Sequence, residues 1–411
     1  MLEWPIKWYR HFMTDGGWRG RLGLSGRLAP LAAGLFVFGL GEELWSRYLP
    51  EYLRFLGASA FAVGAFGALR DFLDAAYAYP GGWISDRLGS RRALLLFALA
   101  TTAGFGFYFL TRSVAGVFLG VFLVMAWKSL GLPATFAMIG EEASGSGRLL
   151  GFTAQAILKR IPIVLAPPVG GLLLERLGMA DGMRAGFLVS IALSVAMLAG
   201  LALAFRKGQS DAARSPRSAE AIRLHPVLKR LLVADVLVRL CEGLPDVFLV
   251  VWALEVLRLS PSQFGIATSV LMATAILSYV PAAALAGHVE RKPFVIATFL
   301  CFALFPVAVV LSRSFPQLLG AYVIGGLREV GEPSRKALIV DLASAGARGK
   351  TVGLYYAIRG FSVAGAAAVG GALWTIRPAL TFYAAFALGI AGTLWALVTL
   401  PARPAAVEAA P

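Results

Sequence analysis

Charged residues inside apolar segments recur along this chain at a step of 200 positions. The matched charges are Glu42 with Glu242, Lys128 with Arg328, and Lys159 with Arg359. A charged side chain at the centre of a bilayer costs roughly 3 kcal/mol on insertion scales, so chance does not explain the same type of charge at the same depth in two halves. The repeat therefore predicts a duplicated membrane protein with a polar site near the middle of the membrane.

The composition points to the same class of protein. Of the 411 residues, 58% are hydrophobic and only 15% are charged, whereas soluble domains average about 45–50% apolar and about 25% charged residues. The apolar residues fall into blocks of about 20, the length that crosses roughly 30 Å of hydrocarbon. The net charge is +15, but the basic residues form no stripe with interleaved aromatic residues. We therefore expect the lipid bilayer as a partner and no nucleic acid.

The apolar blocks predict an all-α membrane protein with twelve transmembrane helices in two pseudo-symmetric six-helix bundles. The predicted helices lie near 28–50, 59–83, 93–111, 114–139, 150–175, 184–205, 230–255, 263–287, 293–312, 317–340, 351–376 and 379–400. The corresponding domains are an interfacial N-terminal segment 1–27, an N-terminal bundle 28–205, a basic linker 206–229, a C-terminal bundle 230–400 and a tail 401–411. Every third predicted helix has no charge in its interior, as expected for an outer, lipid-facing support.

The distribution of basic residues predicts the orientation. With the N-terminus inside, the inner loops hold roughly three times as many Lys and Arg residues as the outer loops, which is the bias of cytoplasmic loops. The first 27 residues contain no signal-peptide pattern. We expect a multi-pass protein of the plasma or inner membrane, with both termini and the linker in the cytoplasm.

A short motif follows the second predicted helix, where residues 82–92 read GWISDRLGSRR. It resembles the G-x-x-x-D-R-x-G-x-R-R loop signature of the major facilitator superfamily. The matching residues are Gly82, Asp86, Arg87, Gly89, Arg91 and Arg92. The resemblance implies a secondary transporter whose two bundles rock about a central site where helices 1, 4, 7 and 10 converge, commonly with proton coupling. The alternative is an ordinary basic turn at the inner surface.

A second motif lies on the fifth predicted helix, where residues 166–171 read APPVGG. It resembles the G-P-x-x-G-G signature of the drug:proton antiporters in that superfamily, with alanine in place of the first glycine. Its matching residues are Pro167, Pro168, Gly170 and Gly171. Prolines bend helices and glycines allow close packing, so a kinked, tightly packed helix without any antiport role is the alternative.

The intramembrane charges are the candidate site. The predicted substrate-binding cations are Lys128, Arg328, Lys159 and Arg359, and the predicted proton carriers are Glu42 and Glu242, followed by Asp74, Glu329 and Glu332. A carboxylate at this depth is poorly solvated, which brings protonation within reach. The alternative is that these charges are structural ion pairs between the two halves. On the second helix, Arg70 and Asp74 are four residues apart, which predicts an internal pair.

Enzymatic functions find little support in the sequence. There is no phosphate-binding loop of the Walker type, no metal-ligand spacing among the three histidines, and no motif for a cofactor. We predict a monomeric secondary transporter of a small polar, anionic organic solute, coupled to protons. Proton-driven efflux of amphipathic compounds is the alternative, and a membrane sensor or channel is a third class.

Overall fold

The computed structural model of the chain describes residues 29–131, 135, 146–205, 224–286, 291–342 and 348–401. The predicted interfacial segment 1–27, residues 206–223 of the predicted linker and residues 402–411 of the tail lie outside the described residues. The described residues form helices joined by short turns, as the apolar blocks predict.

Twelve helices, α1 to α12, are found in the described part of the chain, and this confirms the predicted helix count. In chain order they are α1 (Ala29–Glu43 with Leu49–Phe55), α2 (Ala60–Leu88), α3 (Ser90–Leu110), α4 (Val114–Val124 with Ala126–Leu130), α5 and α6 (residues 146–177 and 179–205 of the stretch Ser146–Phe205), α7 (Pro226–Gly243 with Phe248–Val251 and Trp252–Val256), α8 (Pro261–Ala286), α9 (Arg291–Leu311), α10 (Phe315–Leu327 with Glu332–Asp341), α11 (Arg348–Val363 with Ala366–Ile376) and α12 (Pro378–Thr399).

Length and hydropathy fit a membrane-spanning bundle. Among the described residues, six helical stretches are long and apolar enough to cross a membrane, and one of them, Lys159–Leu203, contains most of α5 and α6. The helices α4 and α10 contribute shorter apolar stretches, Val114–Leu130 and Phe315–Leu327. In α10, Arg328 and an irregular turn follow the apolar part.

The irregular turns occur at the repeated charges. Glu42 and Glu242 each lie at the end of the first segment of a broken helix, α1 and α7 respectively. Lys128 lies in a π-helical turn of α4, and Arg328 follows the first segment of α10. Irregular backbone at membrane depth is tolerated only where protein covers it or where it lines a water-filled cavity. The breaks therefore mark the inward-facing side of each helix.

Glycines on α5 and α11 pack against two of these breaks in the same way. A Cβ atom on Gly170 would overlap the carbonyl oxygen of Leu44, and a Cβ atom on Gly370 would overlap the carbonyl oxygen of Leu244. Only a residue without a side chain lets the helix axis approach so closely. The two halves thus share a backbone contact as well as a charge pattern.

Two connections are tighter than the sequence predicts, because glycines supply them. The predicted loop between helices 5 and 6 is reduced to a bend at Gly178, whose φ is 79°. Helix α2 continues to Leu88 instead of ending at residue 83, and Gly89, with φ of 80°, turns the chain into α3. A positive φ is open to glycine at no steric cost. At the centre of the chain, α7 begins at Pro226, within the predicted linker.

The two bundles touch through α2 against α11 and α5 against α8. In the first contact, a Cβ atom on Gly64 would overlap the Ala367 carbonyl oxygen and lie 2.9 Å from the Gly371 Cα atom. In the second, a Cβ atom on Gly171 would lie 2.5 Å from the carbonyl oxygen of Pro261. These positions are near the starts of α2 and α8, on the face of the molecule opposite to the N-terminus of α1. The bundles are therefore closed against each other on that face.

Candidate functional site: the central cavity

A cavity of about 260 Å³ lies between the two bundles. Its lining comes from α1 to α5 of the first half and from α7 to α10 of the second half. The charged residues that line it in the described part of the chain are Glu42, Glu43, Arg47, Arg70, Asp71, Asp74, Lys128, Glu242, Asp246 and Arg328. The cavity therefore collects six carboxylates and four cations among the described residues.

Two ion pairs related by the internal repeat face this cavity. Lys128 Nζ lies 3.6 Å from Glu42 Oε1, and Arg328 Nη2 lies 3.1 Å from Glu242 Oε1. The first pair is the more open one, because the Lys128 side chain is 54% exposed and the Arg328 side chain is 17% exposed. The sequence placed all four residues at one depth, and the structure brings them to one cavity. Lys128 and Arg328 are each joined to a predicted proton carrier of their own half.

The second pair is embedded more firmly than the first. The Arg328 guanidinium carbon lies 5.0 Å from the ring centre of Phe302 and 5.8 Å from that of Phe305, so two aromatic faces cover it. Glu242 also accepts a hydrogen bond of 2.7 Å from Arg239 Nη1. Two arginines thus share the Glu242 carboxylate, whereas Lys128 is the ion-pair partner that the structure gives to Glu42.

The cavity also contains charges that the sequence analysis did not place in the site. Arg47, in the irregular turn of α1, donates a hydrogen bond of 2.9 Å to Glu43 one turn earlier. Arg70 of α2 reaches across to the other bundle, where its Nη2 lies 3.0 Å from Asp246 Oδ2. The predicted internal pair between Arg70 and Asp74 is therefore wrong. Asp74 instead accepts a hydrogen bond of 2.5 Å from Ser129 Oγ of α4.

Four of the residues predicted to bind solute or carry protons do not line the cavity. Lys159 of α5 makes no ion pair within the described residues, and its neighbour Arg160 contacts Glu329 of α10 with an Nη2–Oε2 distance of 3.1 Å. Arg359 Nη1 lies 3.4 Å from Asp235 Oδ2, and Glu332 lies 2.6 Å from Arg239. These contacts favour structural roles for Glu329, Glu332 and Arg359.

Glu332 and Arg359 belong to a buried network within the second bundle. Asp235 of α7 is 1% exposed, accepts a hydrogen bond from Arg335 Nη1 at 2.5 Å and one from the Tyr355 hydroxyl at 3.0 Å. Arg335 also pairs with Glu332 at 2.7 Å. Breaking one partner of such a buried network leaves an uncompensated charge, so these residues hold α7, α10 and α11 together.

Aromatic side chains complete the walls of the cavity. Trp45 donates a hydrogen bond of 2.9 Å to Ser190 and is surrounded edge-on by Phe105, Tyr108 and Phe187. Tyr322 of α10 also lines the cavity; it is 2% exposed, and its hydroxyl has no hydrogen-bond partner among the described residues. An unsatisfied buried hydroxyl is costly, so this group is available to a polar atom inside the cavity.

The α5 motif lies at the contact with α8. Because Pro168 has no N–H group, the carbonyl of Val164 loses its helical partner. Ser269 of α8 supplies a replacement, with a hydrogen bond of 2.5 Å from its Oγ atom. Tyr48 of α1 donates to the Pro167 carbonyl at 2.6 Å and lies 3.0 Å from the Pro261 carbonyl. The motif is therefore part of the surface that closes the two bundles.

The residues of the 82–92 motif lie away from the cavity, at the end of α2 and the start of α3. The guanidinium carbon of Arg87 lies 4.0 Å from the ring centre of Trp83. Ser85 and Ser90, on either side of Gly89, are both buried, and their hydroxyl oxygens are 3.4 Å apart. Arg91 and Arg92 lie in the first turn of α3. The motif thus makes a compact corner between two helices.

Comparison with known proteins identifies the family. The family model described as Major Facilitator Superfamily matches residues 31–254 and again residues 231–411. The chain belongs to the Major Facilitator Superfamily. An uncharacterised MFS-type transporter of Methanocaldococcus jannaschii is 20% identical over 356 residues, which cover 84% of this chain and 88% of that protein. An uncharacterised MFS-type transporter of Mycobacterium tuberculosis H37Rv is 28% identical over 140 residues, 34% of this chain, and the match spans about a third of that relative's length, 33%.

Solved structures of the superfamily share the fold. A peptide transporter POT aligns with a TM-score of 0.76 and 17% identity, covering 95% of this chain and 96% of that one. A POT family transporter in complex with 5-aminolevulinic acid aligns with a TM-score of 0.76 and 16% identity, covering 91% and 95%. At this identity the similarity shows the fold. As a superfamily member, the chain is an integral multi-pass membrane transporter rather than an enzyme, and the predicted two-bundle fold is confirmed.

Proposed function

We propose that this chain is a proton-coupled secondary transporter that moves a small polar organic solute by alternating access. The observation that carries the proposal is the pair of cation–carboxylate contacts, Lys128 with Glu42 and Arg328 with Glu242, in one cavity between the bundles. Each contact joins a group that can bind an anionic part of a solute to a group that can carry a proton.

The contacts support a simple mechanism of coupling. An anionic group of the solute that approaches Lys128 or Arg328 competes with the carboxylate for the same cation. Once Lys128 is taken by the solute, Glu42 remains in a cavity with aromatic walls, where a proton can neutralise it. Glu242 would keep its contact of 2.7 Å with Arg239 when Arg328 is taken, so Glu42 is the stronger candidate for the proton carrier. Solute and proton would then bind together, and the loaded cavity would be close to neutral when the bundles rock. Asp74 is the remaining predicted proton carrier that lines the cavity.

The orientation of this state follows from the proposed topology. With both termini and the linker of residues 206–229 in the cytoplasm, the closed face of the molecule is the outer face. The contacts of α5 with α8 and of α2 with α11 would then form the outer gate, and the cavity would load from the cytoplasmic side or unload into it. We expect a monomer in the plasma or inner membrane, with the bundles at residues 28–205 and 230–400.

Efflux of amphipathic compounds is the second candidate. It is favoured by the APPVGG segment of α5, which resembles the antiporter signature and lies on the α8 interface. The lining of the cavity favours a polar solute instead, because ten charged residues among the described ones face it. The solutes named for the similar structures, peptides and 5-aminolevulinic acid, are polar as well.

The test is transport into proteoliposomes that contain the purified protein. A panel of amino acids, dipeptides, carboxylic acids and cationic dyes is offered with and without an imposed pH gradient. We expect accumulation of a polar solute only with the gradient. The Glu42→Gln and Glu242→Gln variants should lose accumulation but retain exchange, while Asp181→Asn, an exposed carboxylate outside the cavity, should behave like the parent. Gradient-driven movement of the dyes alone would favour the efflux function, and accumulation that survives in both glutamine variants would refute the coupling role.

A further inference from the structure

Two aspartates on one face of α2 line the cavity without forming an ion pair in the described part of the chain. Asp71 and Asp74 are three positions apart, so they project from the same side of the helix, and both line the cavity. Within the described residues, no Lys or Arg side chain makes an ion pair with either. Ser129 Oγ, at 2.5 Å from Asp74 Oδ1, orients that carboxylate without neutralising it.

The four cations that line the cavity are already engaged, and Lys159 of α5, which acts electrostatically on Asp74, does not line it. Arg70, next to Asp71 in sequence, contacts Asp246 at 3.0 Å, and Lys128, next to Ser129, contacts Glu42 at 3.6 Å. The two other cations of the cavity lie in contacts of 2.9 Å and 3.1 Å with Glu43 and Glu242. Among the described residues, each cavity cation therefore has its own carboxylate, and Asp71 and Asp74 are the two that remain.

The excess of negative charge is confined to the side of the cavity formed by α2. At the step of 200 positions, Leu271 and Thr274 of α8 take the places of Asp71 and Asp74. The two halves agree in the cation–carboxylate pairs but differ here, so the cavity has an acidic wall on α2 and a neutral wall on α8. A site with this polarity distinguishes the two ends of an asymmetric solute.

We propose that the Asp71–Asp74 face of α2 binds a cationic amino group of the transported solute, whose anionic group is held by the lysine and arginine of the two repeat-related pairs. This inference rests on the proposed function and names its substrate class: a small zwitterion with separated amine and acid groups. The ammonium group would supply the positive charge that this wall lacks. The buried Tyr322 hydroxyl, without a partner among the described residues, offers one further hydrogen bond inside the same cavity.

The test measures binding to the purified full-length protein by thermal shift and by competition. The probes are amino acids, dipeptides and ω-amino acids, each with its N-acetylated form, which lacks the positive charge, and its amidated form, which lacks the negative charge. The best zwitterion should bind at least tenfold more tightly than its N-acetylated form. Asp71→Asn and Asp74→Asn should each remove most of this preference, Asp71→Glu should retain it, and Asp181→Asn should leave it unchanged.

The outcomes separate this inference from the proposed function. If the N-acetylated anion binds as tightly as the zwitterion in the parent, or if both asparagine variants keep the parent's preference, the amine site is refuted while gradient-driven transport of an anion can still stand. If no probe is accumulated under a pH gradient by the parent protein in proteoliposomes, the proposed function fails, and the amine site fails with it. Unfolded variants are recognised by gel filtration, and the parent protein's preference for the zwitterion over its N-acetylated form then remains the deciding measurement.

Discussion

The two repeat-related ion pairs should differ sharply in their contribution to stability. In Arg328→Gln, the Glu242 carboxylate loses the guanidinium group that lies 3.1 Å away. The Arg328 and Glu242 side chains are 17% and 25% exposed, so the contact is largely buried. Removing one partner of a buried pair costs about 3–5 kcal/mol. Because Arg239 stays 2.7 Å from the same carboxylate, we expect a smaller loss in unfolding free energy, of about 2–3 kcal/mol.

In Lys128→Gln, by contrast, the lost contact is 3.6 Å long and the lysine side chain is 54% exposed. A pair of this kind resembles an exposed one, which contributes about 0–1 kcal/mol. We therefore expect the unfolding free energy of Lys128→Gln to stay within about 1 kcal/mol of the parent. Both variants should lose solute affinity to a similar degree, because both remove a proposed anion-binding group.

The measurement is unfolding of the purified protein in mixed micelles of increasing denaturing detergent, followed by solute binding on the folded fraction. Arg328→Lys is the matched control, since it keeps the charge and loses the planar fork that holds two acceptors. A double-mutant cycle with Glu242→Gln isolates the pair itself. The reasoning is refuted if Arg328→Gln is as stable as the parent, or if Lys128→Gln is the less stable variant. Unchanged solute affinity in folded Arg328→Gln would refute its binding role.

Three further predictions concern the surfaces that hold and move the bundles. Gly370→Ala should lower the unfolding free energy by about 1–3 kcal/mol through overpacking. Gly353 lies on the same helix with open space around it, so Gly353→Ala should leave the unfolding free energy unchanged or raise it in the same unfolding assay. Arg54→Glu should weaken the closed face, because Arg54 lies 3.1 Å from Glu255 of the other bundle. Cysteines introduced into the cavity should then react faster with a reagent added from outside. The added change Glu255→Arg restores an ion pair and should reverse this increase. Arg87→Ala should slow solute exchange with little change in the unfolding midpoint, and exchange at the parent rate would show that the motif is only a turn.

The sequence predicted much of the site because depth and repetition can be counted along a helix. Glu42, Glu242, Lys128 and Arg328 were found from their distance to the helix ends at 1.5 Å per residue, and all four line the cavity. Arg47 was missed because it lies in an irregular turn, where helical spacing no longer gives direction. Arg47 lines the cavity because the helix is interrupted after Glu43, and no apolar pattern in the sequence indicates this position.

Spacing along one helix cannot predict ion pairs between residues of different bundles. The rule of four residues pairs Arg70 with Asp74, but a carboxylate of α7 lies closer in the folded chain. The same limit explains Arg359, which occupies the repeat position of Lys159. Asp235 attracts it in the second half, where the first half has Leu35 at the corresponding position. The repeat predicts that matched residues lie at equal depth in the membrane. Whether each charge can bind a solute depends on its neighbours, which differ between the two halves.

The closed face is built so that opening it leaves few polar groups without partners. The Tyr48 hydroxyl carries one proton and lies near two carbonyl oxygens, at 2.6 Å from Pro167 in its own bundle and at 3.0 Å from Pro261 in the other. When α8 moves away, the hydroxyl keeps the shorter bond. The Val164 carbonyl, which Pro168 deprives of a helical partner, would exchange Ser269 for water as the cavity opens. The glycine contacts on this face involve backbone atoms, and the ion pair between Arg54 and Glu255 is partly exposed, so water can replace each partner. Separation of the bundles here therefore exchanges close packing for hydration, and the free energy of the two states can remain close enough for a solute and a proton to shift the balance.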